Sequence, residues 1–503
     1  MLVHRLGRDQ AAAVRHAQAR GWEVACVSGE SVEGVASLPP SVVPSFEDGA
    51  FVPGAFDLVE LAVGKLLRRR PRIGRALERV TGSDVVDRYL CRSLLREAGG
   101  LLSLGLLASS PELAGYERIV VERHWPNSPD FALLARLTRE QVPSLPARVT
   151  EALGRLVFQT DDAPASLRRL RCATHAVQEL VGLWAESMGL LRPTTRQLPE
   201  RPLVIRSYVT DWGLDKDGEP RLRNLDFVVD GETITAAEVG VWLEEGVPAD
   251  RRERLRERGY AVLSAGDVGI GPLRFAVRVV PALARATVLF LRLAAAEHWW
   301  PEPVRRLLFQ TVLWSEVART ARPRVFLAHN DTYPTGVART LALRRAGCLT
   351  VEYEFSSHWL TTEEAWVPDY VYGFTVVDAM VSWGPLHSTH FRSHRGDIGG
   401  LWETGCLWSE HARLVRDDPE IGAGYRRRLG VDLTTFQHVI GVFDTSTASF
   451  FGADDMVAFY AGVAAVARRL PRVFFVCKPK RPPESIFSRA SRGRDVEGML
   501  ASA

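Results

Sequence analysis

The chain is 503 residues long, 46% hydrophobic and 24% charged, with 63 basic against 60 acidic residues and a formal net charge of +3. This is the profile of a soluble globular protein with core enough for two to four domains, and its near-balanced charge excludes a globally basic nucleic-acid binder. Six cysteines, at 26, 91, 172, 348, 406 and 477, form no C-x-x-C pair, which excludes a disulfide framework and a cysteine zinc site. Several sit inside apolar runs such as VACV and FFVCK, as buried thiols in a reducing compartment do. Arg5, Arg8 and Asp9 interrupt any secretory apolar region, so a cytoplasmic location is expected.

In chain order, the first 30 residues read as a helix over 8–20 and a strand over 23–27, followed by a Pro/Ser/Gly-rich connector over 37–54. Residues 55–110 have helical spacing and carry a basic patch, LLRRRPRIGR. The run IVVE is a strand ending in Glu122, Arg123, His124 and Trp125, and 130–193 reads as helical with proline breaks. A new strand, LVIRSYV, follows Pro202 and leads into a long polar and aromatic loop with a hairpin expected through Asp230-Gly231. VGVWLEE and YAVLSAGDVGIGPL read as further strands, and long helices cover 272–320. The most apolar stretch, Phe275 to Ala296, carries Arg278, Arg285 and Arg292 at intervals of seven, so it is amphipathic rather than membrane-spanning. Such a stripe fits a solvated face or a peripheral contact with an anionic inner-membrane surface.

The segment Arg324 to His358 reads as strand, polar loop, helix and strand. VFLA is an apolar run, HNDTYPTG a turn-rich loop, VARTLALRRAG a helix closed by Gly347, and CLTVEYEF a β-branched and aromatic strand. A β-α-β unit of this kind crosses over right-handed and implies a parallel sheet, whose ligands sit beyond the carboxyl ends of the strands. After Asp369 short strands and helices alternate quickly through HVIGVFDTS, MVAFYAGVAAVARRL and RVFFVCKPK. The expected fold is therefore α/β, with two Rossmann-like doubly wound domains: 1–370 with helical insertions, and 371–503.

Two groups of residues stand where chemistry is expected. At the first, His329, Asn330 and Tyr333 can hydrogen-bond hydroxyls, with Arg206 and Asp211 shaping a pocket from the long loop after LVIRS. Asp331, Glu354 and His358 are the candidate catalytic base, each needing a suitable pKa at its site. At the second, Asp444, Thr445 and Ser446 follow one strand while Lys478, Lys480 and Arg481 end another. Hydroxyls, helix-start amides and a basic cluster make a pyrophosphate cradle; the plainer alternative is a helix cap beside a solvated basic loop. His387, His390 and His394 share one helical face, yet no carboxylate partner is evident, so no metal is expected. No GxSxG, P-loop, HExxH or GxGxxG sequence occurs.

Over about residues 324–481 the chain resembles bacterial surface-carbohydrate (capsule and O-antigen) biosynthesis proteins of the GT-B glycosyltransferase type. The similar parts are FLAHNDTYPTGVARTLALRRAGCLTVEYEF, DAMVSWGPLH with LWETGCLW, and HVIGVFDTS with FFVCKPK. The resemblance implies a nucleotide-sugar donor, a glycan or lipid-linked acceptor and no separate cofactor. It places Lys478, Lys480, Thr445 and Ser446 at the donor diphosphate, and Asp331 and His358 at the acceptor or leaving group. The chain departs from the pattern in reading SSHW where related transferases often have a Gln-His-Gly type turn. It also ends 23 residues after KPK, so the second domain reads as incomplete at its C-terminus. A sugar-nucleotide hydrolase or epimerase, a polyol-phosphate transferase and a non-catalytic accessory protein of the same pathway are the rival expectations.

Overall fold

The computed structural model describes residues 2–3, 8–26, 36–37, 52–81, 85–121, 134–135, 142, 144–158, 165–192, 198–207, 228–229, 233–243, 247–294, 300–329, 333–353, 373–392, 394–405, 416–418, 420, 423, 432–443 and 453–478. The chain divides into two compact units, Met1–Trp408 and Ser409–Ala503.

The first unit holds two parallel sheets. One is built from five short strands, β1 (Leu2–Val3), β2 (Ala25–Cys26), β3 (Ala36–Ser37), β4 (Ile119–Val121) and β5 (Leu156–Phe158), in the order β3-β2-β1-β4-β5. The other has seven strands: β6 (Leu203–Ser207), β7 (Val239–Leu243), β8 (Ala261–Ser264), β9 (Val325–His329), β10 (Leu349–Tyr353), β11 (Val376–Ser382) and β12 (Asp397–Glu403). Their order is β12-β11-β10-β9-β6-β7-β8. Counted within its own sheet, the first follows 3-2-1-4-5 and the second 3-2-1-4-5-6-7, the doubly wound Rossmann-like order, in which the chain starts mid-sheet and reverses direction once.

The boundary expected at 370/371 therefore moves. Val351 pairs with Ala379 and Ala379 with Gly400, so β11 and β12 extend the sheet that β6 begins. The backbone groups along β10 find their partners on β11, and cutting there would leave them unsatisfied. The quick alternation through HVIGVFDTS, MVAFYAGVAAVARRL and RVFFVCKPK falls in the second unit, which starts at Ser409 rather than at 371. The second unit contains, among the described residues, one β-α-β element: β13 (His438–Phe443), α12 (Ala453–Arg469) and β14 (Val473–Lys478), with β13 and β14 parallel.

Long helices fill the first unit. After α1 (Arg8–Ala19) come α2 (Val52–Arg69), α3 (Pro71–Thr81) and α4 (Val86–Ala108). Thirteen of the 23 residues of α4 are buried, which makes it an interior helix rather than a one-faced surface helix. The basic patch between α2 and α3 is a solvated turn, since Arg68, Arg69, Arg70, Arg72 and Arg75 are all exposed. Next are α5 (Ala147–Arg155) and α6 (Ala165–Met188), separated by β5. That strand interrupts the helical run expected over 130–193; three residues are too few to impose a period of two on the pattern.

On the seven-stranded sheet, alternate side chains separate two cores. Ile205, Val241, Leu327, Val351, Tyr353 and Ala379 face one side with Leu255 of α7 (Ala249–Glu257). Val204, Trp242, Phe326 and Ala328 face the other, in the large core that includes α4, α8 (Val280–Leu293), α9 (Pro301–Ala321) and α10 (Pro334–Arg345). The start and stop of α10 are written locally. Tyr333 is extended, Pro334 occupies the first turn where its missing N–H is harmless, and Gly347 takes φ +81°. There the N–H of Cys348 donates to Leu343 O (3.1 Å) and that of Gly347 to Arg344 O (2.9 Å), a Schellman closure.

Charge pairs tie the layers together. Arg344 on α10 bridges Asp378 of β11 (2.8 Å) and Asp397 of β12 (2.6 Å), and Asp378 accepts from both the N–H and hydroxyl of Thr350 on β10 (2.7 Å each). Arg395, after α11 (Pro385–Arg392), reaches Asp57 (2.6 Å) and Glu60 (2.8 Å) of α2, and Glu60 also pairs with Arg88 of α4 (2.9 Å). Cys26, Cys91 and Cys348 are buried and unbridged, and burial pushes the Cys348 thiol up to about 12, which leaves it unreactive.

Candidate functional site

In the seven-stranded sheet the winding direction reverses between β6 and β9, which lie side by side with Leu203 opposite Val325 and Ile205 opposite Leu327. The crevice at the carboxyl ends of such a pair is where doubly wound folds bind ligands. β6 ends at Ser207 and β9 at His329, so the polar segments that follow in sequence, from Tyr208 and from Asn330, start at this point. Helix α10 also begins here, and the N-terminus of a 12-residue helix favours negative charge. Tyr333 stands exposed at that helix start.

Beneath this edge lies a buried charged cluster. Glu352 of β10 pairs with Ala328 of β9, and Arg206 of β6 lies one residue beyond the Ile205–Leu327 pair, which brings it level with Ala328. Strand pleating then puts Arg206, Ala328 and Glu352 on one face, the face covered by α9 and α10. Ala328 is small, so the two longer side chains on either side converge over it. Arg339 of α10 comes down from above, with its guanidinium 4.6 Å from the Phe326 ring and 5.4 Å from that of Trp314. Trp314 itself packs at a tilt of 44° against Trp242, the β7 partner of Arg206, with ring centres 4.3 Å apart. Arg206, Arg339 and Glu352 are all buried, and Arg339 and Glu352 line one small cavity with room for about one water molecule.

Burial pushes the Glu352 carboxyl up from its ordinary 4.5 to about 7, against the opposing pull of Arg339, Arg206 and, from α4, Arg92. A carboxyl in that range can hold or release a proton near neutrality. Two buried guanidiniums and one buried carboxyl therefore stand together beneath the switch point.

The expected site residues fall into four groups. Arg206, expected to help shape an acceptor pocket, is buried in the cluster. Tyr333 and the backbone of His329 lie at the switch point as described. Asn330, Asp331, Glu354, His358 and Asp211 lie outside the described residues, as do Asp444, Thr445, Ser446, Lys480 and Arg481. Lys478 is the last residue of β14 and is level with Phe443, the last of β13, so the expected pairing of those two strands is observed. Glu352 was not singled out as a base from sequence. The alternation in LTVEY sets Thr350 and Glu352 on the face opposite Val351 and Tyr353, which reads as solvated in sequence; the helices packed on that face bury it.

The three histidines of α11 and its C-terminal turn pack as core aromatics. His387 and His390 stack with centres 6.4 Å apart, His390 and His394 meet edge to face at 4.4 Å, and Phe391 lies among them. The Trp383 N–H donates to His387 Nδ1 (3.1 Å). Burial holds His387 and His390 down at about 4 and His394 at about 3. Among the described residues no group of His, Cys, Asp or Glu is arranged to hold a metal ion.

Comparison with known proteins returns no family model, no curated protein and no solved structure that matches this chain.

Proposed function

We propose that this protein is a glycosyltransferase-like enzyme that moves a sugar from a nucleotide-sugar donor to a glycan or lipid-linked acceptor in bacterial surface polysaccharide assembly. The observation that carries the reading is the switch point between β6 and β9, underlain by the Arg206–Glu352–Arg339 cluster and followed in sequence by HNDTY. Support also comes from the two doubly wound sheets within residues 2–403, each starting mid-sheet and reversing once, an architecture suited to a two-sheet transferase. The motif resemblance over 324–481 points the same way.

The reaction is a displacement at the anomeric carbon. The acceptor hydroxyl loses its proton to a base among Asp331, His358 and Glu354, its oxygen bonds to the sugar, and the bond to the diphosphate breaks. Positive charge stabilises the departing diphosphate. Lys478, Lys480 and Arg481 are proposed as donor contacts, with Asp444, Thr445 and Ser446 beside them.

The test is a thermal-shift screen of the purified chain against UDP, GDP, CDP, CMP, TDP and their sugars, followed by product analysis with and without acceptor. Stabilisation by one nucleotide together with acceptor-dependent glycoside supports the reading. Free sugar formed without acceptor identifies a hydrolase, and an isomerised sugar nucleotide an epimerase. The absence of any shift favours the accessory protein.

A further inference from the structure

The segment Pro272 to Leu293 runs as one turn of helix, a π-turn at Phe275–Val279, and then α8. Its inner side is core, with Leu283, Ala286, Leu289, Phe290 and Leu293 buried. Its outer side is not polar. Leu273, Val277, Val288 and Leu291 are exposed, with Leu273 at 81% and Leu291 at 65%. Neighbouring α6 repeats the pattern: Leu170, Val177, Val181 and Met188 are exposed while Ala176, Leu183 and Ser187 are buried. Each stripe, Leu170 to Met188 and Leu273 to Leu291, extends over 19 residues, about 27 Å of helix.

The two stripes adjoin. Trp184 of α6 donates its indole N–H to the Thr287 hydroxyl of α8 (3.4 Å), which fixes the line of contact between the helices. On α6, helical angles place Val177, Val181 and Met188 between the Trp184 side and the outermost side; on α8 they place Ala284, Val288 and Leu291 between the Thr287 side and the outermost side. The exposed apolar residues thus flank one seam. Of the 21 large hydrophobic residues that are exposed among the described residues, ten lie on these two elements, so the patch is a local concentration and not the general surface background.

Charge names the partner. Arg278, Arg285 and Arg292 are exposed beside the α8 stripe, and Arg169 and Arg171 beside the start of the α6 stripe. No acidic residue occurs between Val268 and Ala296. The two carboxylates of α6, Glu179 and Glu186, are both turned inward onto Arg305 of α9. The outer surface of the pair is therefore apolar along its seam and cationic along its flanks. Among the described residues no helix is long and apolar enough to cross a membrane. A protein partner would need a matching acidic apolar face; an anionic bilayer supplies both properties everywhere.

We propose that the α6–α8 face is a membrane-docking surface that seats its apolar seam among the acyl chains of an anionic bilayer, with the flanking arginines at the phosphate groups. The proposal stands independently of the reading of the switch point, because no residue of that site takes part. It is tested by co-sedimentation of the full chain with vesicles of phosphatidylcholine alone and of phosphatidylcholine with phosphatidylglycerol, at low and high salt. Binding to the anionic vesicles is expected to exceed that to neutral ones by roughly tenfold and to weaken with salt. Val181→Glu with Val288→Glu should lower it by roughly tenfold or more at unchanged melting temperature. Arg285→Ser with Arg292→Ser should remove most of the preference for anionic lipid while leaving the fold intact. The proposal is overturned if the parent chain stays in the supernatant with anionic vesicles, or if both double variants bind as it does. It is equally overturned if the Glu variant instead converts a dimer to a monomer in light scattering with no vesicle binding by the parent, since the seam then covers a second copy.

Discussion

Arg206 and Glu352 stand level on the same face of the seven-stranded sheet, separated only by the strand that carries Ala328. Neither residue is near the other in sequence, and each is buried. Arg339 descends from α10 to complete the set, so charged groups meet inside an apolar core.

That arrangement makes the cluster sensitive to loss of one member. Arg339→Leu is expected to destabilise the fold by about 3 kcal/mol, because it strands part of the Glu352 charge and removes the guanidinium stacked on Phe326 and Trp314. Adding Glu352→Gln should recover part of that loss. A denaturant-unfolding cycle over the two single variants and the double variant measures the coupling; a value near zero would dissolve the cluster as a unit.

The same carboxyl gives a signed pH response. The folded value of Glu352, about 7, lies above its ordinary 4.5, so the protonated form favours the fold. Its contribution is complete below about 4.5 and is lost as pH rises through 7. Glu352→Gln should therefore flatten the fall in melting temperature between pH 5 and 8.

The buried histidines act with opposite sign. His387, His390 and His394 are held below their ordinary 6.5, so their neutral forms favour the fold, and that stability is lost as pH falls from 6.5 through 4. Three groups outweigh one, so net stability should drop on acidification. His390→Leu should reduce the slope of stability against pH in that window by about one proton, close to 1.4 kcal/mol per pH unit.

Gly373 is a packing requirement. A Cβ there would come within 2.4 Å of the Phe56 ring and 2.8 Å of Leu95, both interior residues. Gly373→Ala should cost about 1–3 kcal/mol in thermal or urea unfolding. A neutral result would mean that α2 shifts freely against the segment leading into β11.

The proposed chemistry makes its own demands. Lys478→Ala with Lys480→Ala should weaken nucleotide binding in a titration while leaving the melting temperature nearly unchanged, since charges at and beyond a strand end add little stability. Asp331→Asn should abolish turnover and spare donor binding; retained turnover moves the base to Glu354 or His358.

Much of the seven-stranded sheet was legible in the chain. VFLAH, LTVEY and VVDAMVS are apolar runs punctuated by turn formers, and α10 carries its own start at Pro334 and its stop at Gly347. These signals act within a few residues, so local steric preference and hydrophobic period suffice to declare them. What the chain by itself determined was therefore the alternation of strand and helix, and hence a parallel α/β fold. It also determined the position of the polar segments at the ends of strands, because a strand must end where its apolar run does.

Only the tertiary structure decided which strands neighbour one another. That choice depends on long-range pairing, which no local pattern encodes; it carried β11 and β12 across the expected boundary at 370/371 and put β6 beside β9. The placement of Arg206 opposite Glu352 follows from the same pairing, since residues some 146 positions apart (352 − 206) share a face only once two strands are set in register. The exposed seam of α6 and α8 is of the same kind. An apolar residue at helical spacing reads as core in sequence, and its exposure is fixed only when the rest of the chain has packed against the other side.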